Sequence, residues 1–143
     1  GTPQHPGDLE IGHVIVGYRY AATGRVMPFT YVSGAEIVEV KSEYVTSFND
    51  GGGYVAAALA GLGVIQVPSF MVQEDVAAGR LVPLLTGWCS AAKPLHIVYP
   101  PNRHLSNKVR VFVDWLAELF ARDDKIQRKT TLTLLGRETC EAA

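Results

Sequence analysis

The sequence predicts an α/β fold, and the clearest evidence is a helix followed directly by a short buried strand in the middle of the chain. Apolar side chains recur at helical spacing over residues 51–61, and Asn49 or Asp50 can cap the first N–H groups. Gly61 can take the left-handed conformation that ends a helix. Residues 64–67 are too short a run for a helix and suit a buried strand. In α/β sheets, ligands bind beyond the carboxyl ends of the strands.

The composition indicates one globular domain. The chain has 143 residues, 48% of them apolar and 19% charged, as in an ordinary packed protein. A net charge of −1 gives no general attraction to nucleic acid. No apolar run approaches the roughly 20 residues of a membrane span, and the first residues lack a secretion-signal pattern. Two distant cysteines, Cys89 and Cys140, form no disulfide framework and favour a reducing, cytoplasmic location.

Three strands are predicted before the central helix. Residues 1–8 are rich in Gly and Pro and predict a loop, and residues 14–20 predict the first strand. A loop that contains Pro28 follows. Further strands are predicted at 37–40 and 45–48 from their β-branched and aromatic residues.

Helix and strand patterns continue after residue 67. Ser69 is a predicted N-cap for a helix that ends at Gly79. Residues 81–85 predict a short strand or an extended edge, and residues 95–99 predict a buried strand. Ser106 caps a predicted amphipathic helix through 121, and the periodicity fades in a tail that is either an edge strand or disordered. The apolar face of this last helix consists of Val109, Phe112, Val113, Leu116, Leu119 and Phe120.

No pattern of catalytic or metal-binding residues is present. The glycines at 51–53 lack the Lys and Ser or Thr of a Walker loop, and no GxSxG nucleophile elbow occurs. The histidines have no metal-site spacing. We therefore expect no enzyme activity, metal site or cofactor. The four histidines are His5, His13, His96 and His104.

Strand ends and helix starts provide candidate ligand contacts. Tyr18 and Arg19 close a predicted strand, where Arg19 either grips a carboxylate or lies along the surface. Pro68, Ser69 and Phe70 end a predicted strand and open a helix, whose first N–H groups suit an anion.

Several short motifs in a fixed order resemble the effector domain of LysR-type bacterial transcription regulators. Ala-Gly-Leu-Gly at 60–63, followed by an apolar strand and Pro68, is the first of them. Residues 9–20 resemble the segment that enters the second lobe of that domain, and the resemblance covers roughly residues 2–121. The other motifs are Gly-Arg-Val-Met-Pro-Phe at 24–29, Glu-Asp-Val-Ala-Ala-Gly-Arg-Leu-Val at 74–82, and Val-Tyr-Pro-Pro-Asn-Arg-His-Leu-Ser at 98–106.

The resemblance implies a periplasmic-binding-protein-like (type 2) lobe, with a mixed sheet flanked by helices. It assigns residues 1–95 to lobe two, residues 96–121 to a return strand and helix of lobe one, and residues 122–143 to a tail. The family's N-terminal winged helix-turn-helix and part of lobe one have no counterpart here, so we expect a fragment.

By the same resemblance, the function is to sense a small molecule between two lobes and so control DNA binding by the absent domain. The family's effectors include organic and aromatic acids. Expected partners are the effector, a second copy of the chain in a dimer or larger assembly, and DNA only through the absent domain. The alternatives are a fragment of a transport-type solute-binding protein and an interaction domain without a ligand.

The resemblance also directs the start of the central helix toward the effector, although plain capping explains the same residues. It places Tyr99 and Pro100 where the chain crosses between the two lobes, which makes them candidate hinge residues. The alternative is that Tyr99 is simply a packed aromatic side chain. The predicted effector contacts are Tyr18, Arg19, Asn49, Asp50, Gly51, Pro68 and Ser69.

Overall fold

Two three-stranded sheets form the body of the protein in the computed structural model, which describes residues 1–90, 96, 98 and 106–122. In the first sheet, β1 (Ile15–Arg19) runs parallel to β5 (Tyr44–Phe48) and antiparallel to β2 (Val26–Met27). The second sheet is antiparallel throughout. It consists of β3 (Phe29–Ser33) between β4 (Glu36–Val40) and β6 (Cys89–Ser90).

Helix α1 (Gly51–Leu59) covers one face of the first sheet. Its buried residues Tyr54 and Ala57 pack against Val16 of β1. The predicted α/β class and the mixed sheet flanked by helices are therefore confirmed. The remaining helical segments are two 3-10 helices, Pro6–Glu10 and Ser69–Met71, and the helices α2 (Gln73–Ala77) and α3 (Asn107–Arg122).

The other face of β1 packs toward the second sheet. Ile15 is buried there with Phe29 of β3 and Val40 of β4. Leu9, from the first 3-10 helix, and Leu85 complete this cluster. The core therefore lies on both sides of β1, which is the central strand of the first sheet.

The predicted strand at 64–67 is wrong beyond its first residue. Val64 forms an isolated parallel bridge with Ile15, and the N–H of Val16 donates to the carbonyl of Val64 at 3.0 Å. A continuing parallel ladder would join the Gln66 N–H to the Val16 carbonyl. The Tyr54 hydroxyl stands between these groups instead, accepting from Gln66 at 3.1 Å and donating to Val16 at 3.1 Å.

Gln66 then pairs with the second sheet through its side chain. Its amide nitrogen donates to the Thr30 carbonyl at 3.1 Å, and its amide oxygen accepts from the Thr30 N–H at 3.4 Å. The side-chain amide thus imitates the backbone of a neighbouring strand. This pairing and the inserted hydroxyl explain why an apolar, strand-like run is not a strand.

Two predictions for the region after residue 67 also need correction. Ser69 does not cap a helix, because tight i→i+3 bonds form the 3-10 helix there and α2 begins only after Val72. Residues 81–85 form no strand, although Leu85 is buried, and Leu85 adopts a left-handed φ of 54°. The apolar residues at 81–85 therefore indicate packing near the core, as for the buried Leu85, and not a strand conformation.

The first third of the chain holds more regular structure than predicted. Part of the expected N-terminal loop is the 3-10 helix, whose start is capped by the His5 side chain accepting from the Gly7 N–H at 3.0 Å. The expected loop around Pro28 contains β2 and β3, and Pro28 marks the crossing from one sheet to the other. Proline cannot donate to a ladder, so its position between two strands is consistent with this role.

The predicted end of α1 at Gly61 and the predicted cap of α3 at Ser106 are confirmed. Gly61 has a φ of 75°, and the N–H of Leu62 donates back to the Ala57 carbonyl, as in a Schellman motif. The Ser106 hydroxyl accepts from the Val109 N–H at 3.4 Å at the start of α3. None of the residues of α3 is buried, and its assignment to another lobe stays a prediction.

Several predictions lie outside the described residues. These are the strand at 95–99, apart from the isolated residues His96 and Val98, and the tail after Arg122. Cys89 is buried, and the location expected from the cysteine pattern stays a prediction.

Tyr54→Phe should lower the free energy of unfolding by about 1–3 kcal/mol, because the Val16 carbonyl and the Gln66 N–H lose a buried partner. Urea unfolding monitored by circular dichroism measures this difference. Tyr20→Phe is the matched control, since Tyr20 is 49% exposed, and it should change stability by less than about 0.5 kcal/mol. Equal values for the two variants would contradict the structural role of the hydroxyl.

The same variant has a pH signature. Burial raises the pKa of Tyr54 to about 12 from its ordinary 10.0. Between these values the unfolded chain releases the proton and the folded chain keeps it, so stability falls as the pH rises. Tyr54→Phe should flatten this fall. Some of it should remain, because burial also raises the pKa of Tyr31 to about 12.

Gly17→Ala should destabilise the first sheet by about 1–3 kcal/mol through overpacking. A Cβ at Gly17 would lie 2.6 Å from Val26 Cγ1 and 3.0 Å from the Tyr44 ring. Gly87→Ala provides the control, since nothing lies within 4 Å of its added Cβ. Thermal unfolding of both variants tests the difference, and a neutral Gly17→Ala would show that these side chains move away freely.

Candidate functional site

The carboxyl ends of β1 and β5 meet at one edge of the first sheet, and two residues separate the end of β5 from the start of α1. Asp50 is the N-cap of α1. Its carboxylate accepts from the Gly53 N–H at 2.7 Å, and its carbonyl accepts from the Tyr54 N–H at 3.1 Å. The side chain of Asp50 is therefore occupied in capping, as one of the two sequence interpretations expected.

Two N–H groups at the start of α1 are available to a ligand. Within the described chain, no group accepts from the N–H of Gly51 or Gly52. The helix dipole adds a partial positive charge at this end. Gly51 lies against Met71, since a Cβ at Gly51 would be 2.7 Å from the Met71 methyl carbon.

Tyr18 reaches the same place from β1. Its hydroxyl donates to the Asn49 carbonyl at 3.3 Å, and its ring lies 5.5 Å from the ring of Tyr54. Asn49 is exposed, so its side-chain amide is open to solvent. The structure therefore brings together four of the predicted residues: Tyr18, Asn49, Asp50 and Gly51.

Pro68 and Ser69 approach this group through the 3-10 helix that they begin. Met71, at the end of that helix, is the residue that contacts Gly51. Phe70 and Met71 are 54% and 36% exposed. Met71 forms an apolar side of the site that the sequence analysis did not include. The signal for Met71 was a large apolar residue three positions after the proline that ends the predicted strand.

Arg19 lies apart from the other predicted residues. Side chains alternate along a strand, and Tyr18 packs on the α1 side with Val16. Arg19 therefore points to the opposite face, where its guanidinium donates to the Ser47 hydroxyl at 2.6 Å. Arg19 and Tyr18 are neighbours in sequence but lie on opposite faces of the sheet, and the sequence analysis did not identify Ser47 as the partner of Arg19. The role of Arg19 as an effector contact stays a prediction.

The predicted hinge residues, Tyr99 and Pro100, lie outside the described residues. In the part of the chain that the structure describes, no three His, Cys, Asp or Glu side chains are grouped to hold a metal ion. No helix in that part is long and apolar enough to cross a membrane. The arrangement at the start of α1 is thus one of hydrogen-bond donors beside apolar side chains.

Comparison with known proteins identifies the family. A model of the LysR substrate binding domain matches residues 11–121. The chain belongs to this family. Its fold is accordingly that of the LysR substrate-binding domain, which is periplasmic-binding-protein-like.

The relatives of this LysR domain are transcription regulators. An uncharacterized HTH-type transcriptional regulator of Escherichia coli K12, YhjC, is 38% identical over 117 residues, which are 82% of this chain and 39% of YhjC. An HTH-type transcriptional repressor of Pseudomonas aeruginosa UCBPP-PA14 is 42% identical over 66% of this chain and 30% of its own length. CrgA of Neisseria meningitidis serogroup B is 29% identical over 82% of this chain and 38% of its own length. The chain thus matches well under half the length of these relatives.

Asp50→Ala should lower the free energy of unfolding by about 1 kcal/mol, because the Gly53 N–H loses its capping acceptor. Asp50→Asn keeps a side-chain oxygen at the cap and should stay close to the original stability. Urea unfolding of the two variants measures the effect. If both lost the same stability, the charge and not the hydrogen bond would be the stabilising element.

Proposed function

We propose that this LysR domain is the effector-sensing part of a bacterial transcription regulator. The observation that carries the proposal is the convergence of Tyr18, Asn49 and Gly51 at the carboxyl edge of a parallel strand pair. Two N–H groups at the start of α1 have no acceptor in the described chain. Such an edge is the usual place for ligands in α/β folds.

The proposed effector is a small organic or aromatic acid. Its oxygen atoms would accept from the N–H groups of Gly51 and Gly52, supported by the helix dipole. Its apolar part would contact Met71, which lies against Gly51 and is 36% exposed. Asn49 would supply a side-chain amide. Tyr18, Asp50, Pro68 and Ser69 would shape the site without taking up the ligand's charge.

In the proposed mechanism, residues 1–95 form one lobe and residues 96–121 return to a second lobe, with Tyr99 and Pro100 as the hinge and 122–143 as a tail. The effector would bind between the lobes. If it binds the closed arrangement more tightly than the open one, it shifts the population toward closure. This shift would change the DNA binding of a helix-turn-helix domain outside this sequence.

DNA contact is assigned to that other domain because this chain has a net charge of −1. The printed names of the relatives, which describe HTH-type transcriptional regulators, support the assignment. Because such a regulator acts on DNA, we propose a cytoplasmic location.

Sequencing the DNA upstream of the codon for Gly1 tests the assignment of DNA contact to another domain. A helix-turn-helix should be encoded there in frame, whereas a secretion signal would favour a transport-type solute-binding protein.

Self-association is a second proposed activity, and α3 is the observation that favours it. Phe112, Trp115 and Leu119 of this helix are 55%, 54% and 46% exposed. Exposed apolar side chains on one element favour contact with another copy of the chain. We propose a dimer in which α3 packs against, or exchanges with, its counterpart.

Asn49→Ala should weaken effector binding by about 1–3 kcal/mol, the value of a lost hydrogen bond to a charged ligand. An effector found by screening organic acids against the complete regulator would be titrated by calorimetry. Thr23→Ala, in an exposed turn, is the control and should bind like the original protein. Unchanged affinity in Asn49→Ala, with the fold intact, would place the effector elsewhere.

Phe112→Asp and Trp115→Ser together should convert the proposed dimer to a monomer, because burial of their apolar area would be lost. Light scattering across a dilution series measures the mass of each form. Lys108→Ser, on the same helix and exposed, should leave the dimer intact. A monomer at every concentration for the original chain would rule out this assembly.

A further inference from the structure

A groove of about 550 Å³ lies on the face of the first sheet opposite α1. This volume is in the range of sites for small ligands. The groove is separate from the start of α1, because it lies on the opposite face of the sheet and none of residues 49–53 lines it. The lining residues are Arg19, Val26, Glu43, Tyr44, Val45, Thr46 and Ser47.

The floor of the groove is apolar and held in place. Val26 and the Tyr44 ring meet above Gly17, which has no side chain to separate them. The Tyr44 hydroxyl donates to the Met27 carbonyl at 3.2 Å, so the ring is fixed across β1. The phenol is protonated at neutral pH, and burial raises the pKa of Tyr44 further above its ordinary value. A ligand would therefore find a preformed apolar surface.

Hydrogen-bond donors lie beside this floor. The Arg19 guanidinium donates to the Ser47 hydroxyl at 2.6 Å, which fixes one of its five N–H groups and leaves the others available. Ser47 accepts this bond, so its own O–H remains a donor. Among the described residues, neither Arg19 nor Glu43 forms an ion pair. A planar guanidinium next to a hydroxyl is suited to a carboxylate.

We propose that this groove is a second ligand site and that it binds a monocarboxylate with a small apolar body. The carboxylate accepts from Arg19 and Ser47, and the apolar body lies on Val26 and Tyr44. Glu43 is also in the lining, so a second negative charge on the ligand would be repelled. The site is independent of the proposed effector site, because no group at the start of α1 takes part.

Sodium benzoate is the probe, titrated into the 143-residue chain with two-dimensional ¹H–¹⁵N NMR as the readout. Saturable shifts should appear at the amides of Thr46, Ser47 and Val26. Benzyl alcohol has the same ring without the charge and should bind about tenfold more weakly or worse. Arg19→Gln should weaken benzoate binding by a similar factor, and Arg110→Gln, on exposed α3, should not.

A second variant tests the role of Glu43. The original chain should prefer benzoate over the dianion terephthalate, and Glu43→Gln should reduce that preference. Each variant's amide spectrum also shows whether its fold is intact. Unchanged benzoate binding in Arg19→Gln, or no saturable shift in the groove, would overturn the proposal. Shifts confined to the amides of residues 51–53 would also overturn it, while supporting the effector site at α1.

Discussion

The arrangement of helix α1 on the first sheet depends on one buried hydroxyl. Tyr54 is 1% exposed and joins the Val16 carbonyl to the Gln66 N–H. A direct backbone bond between those two groups would leave the hydroxyl buried without a partner, at a cost of about 1–3 kcal/mol. The ladder therefore opens to admit it. Because Tyr54 is in the first turns of α1, the same contact fixes where the start of that helix lies relative to β1.

Features that depend on neighbouring residues were predictable from the sequence. The N-cap of α1 at Asp50, the left-handed Gly61 and the Ser106 cap of α3 are local geometry, which residue type largely determines. The strand at 15–19 was predictable because both of its faces have apolar residues that are buried.

Features that depend on distant partners were not predictable. Nothing near residues 64–67 indicates that a tyrosine ten positions earlier will occupy the ladder. Leu85 fills a core built by Leu9 and Phe29 and has a left-handed backbone, so its apolar side chain did not indicate a strand. The candidate site shows the same division. The edge at Asn49 follows from the order of strand and helix. Strand alternation places Tyr18 and Arg19 on opposite faces, but the position of α1 was needed to show that Tyr18 is the one on the side of the site.

Gln66 satisfies two requirements with one side chain. Thr30 presents a carbonyl and an N–H, so its partner must offer a donor and an acceptor at the same distance from the backbone. Glutamate at neutral pH offers only acceptors, methionine offers no donor, and asparagine is one methylene shorter. Position 66 is therefore chemically restricted although it touches no candidate ligand. We expect relatives with glutamine at the position of Gln66 to connect their two sheets by the same side-chain pairing with the backbone. Relatives with another residue there should connect the two sheets by different contacts.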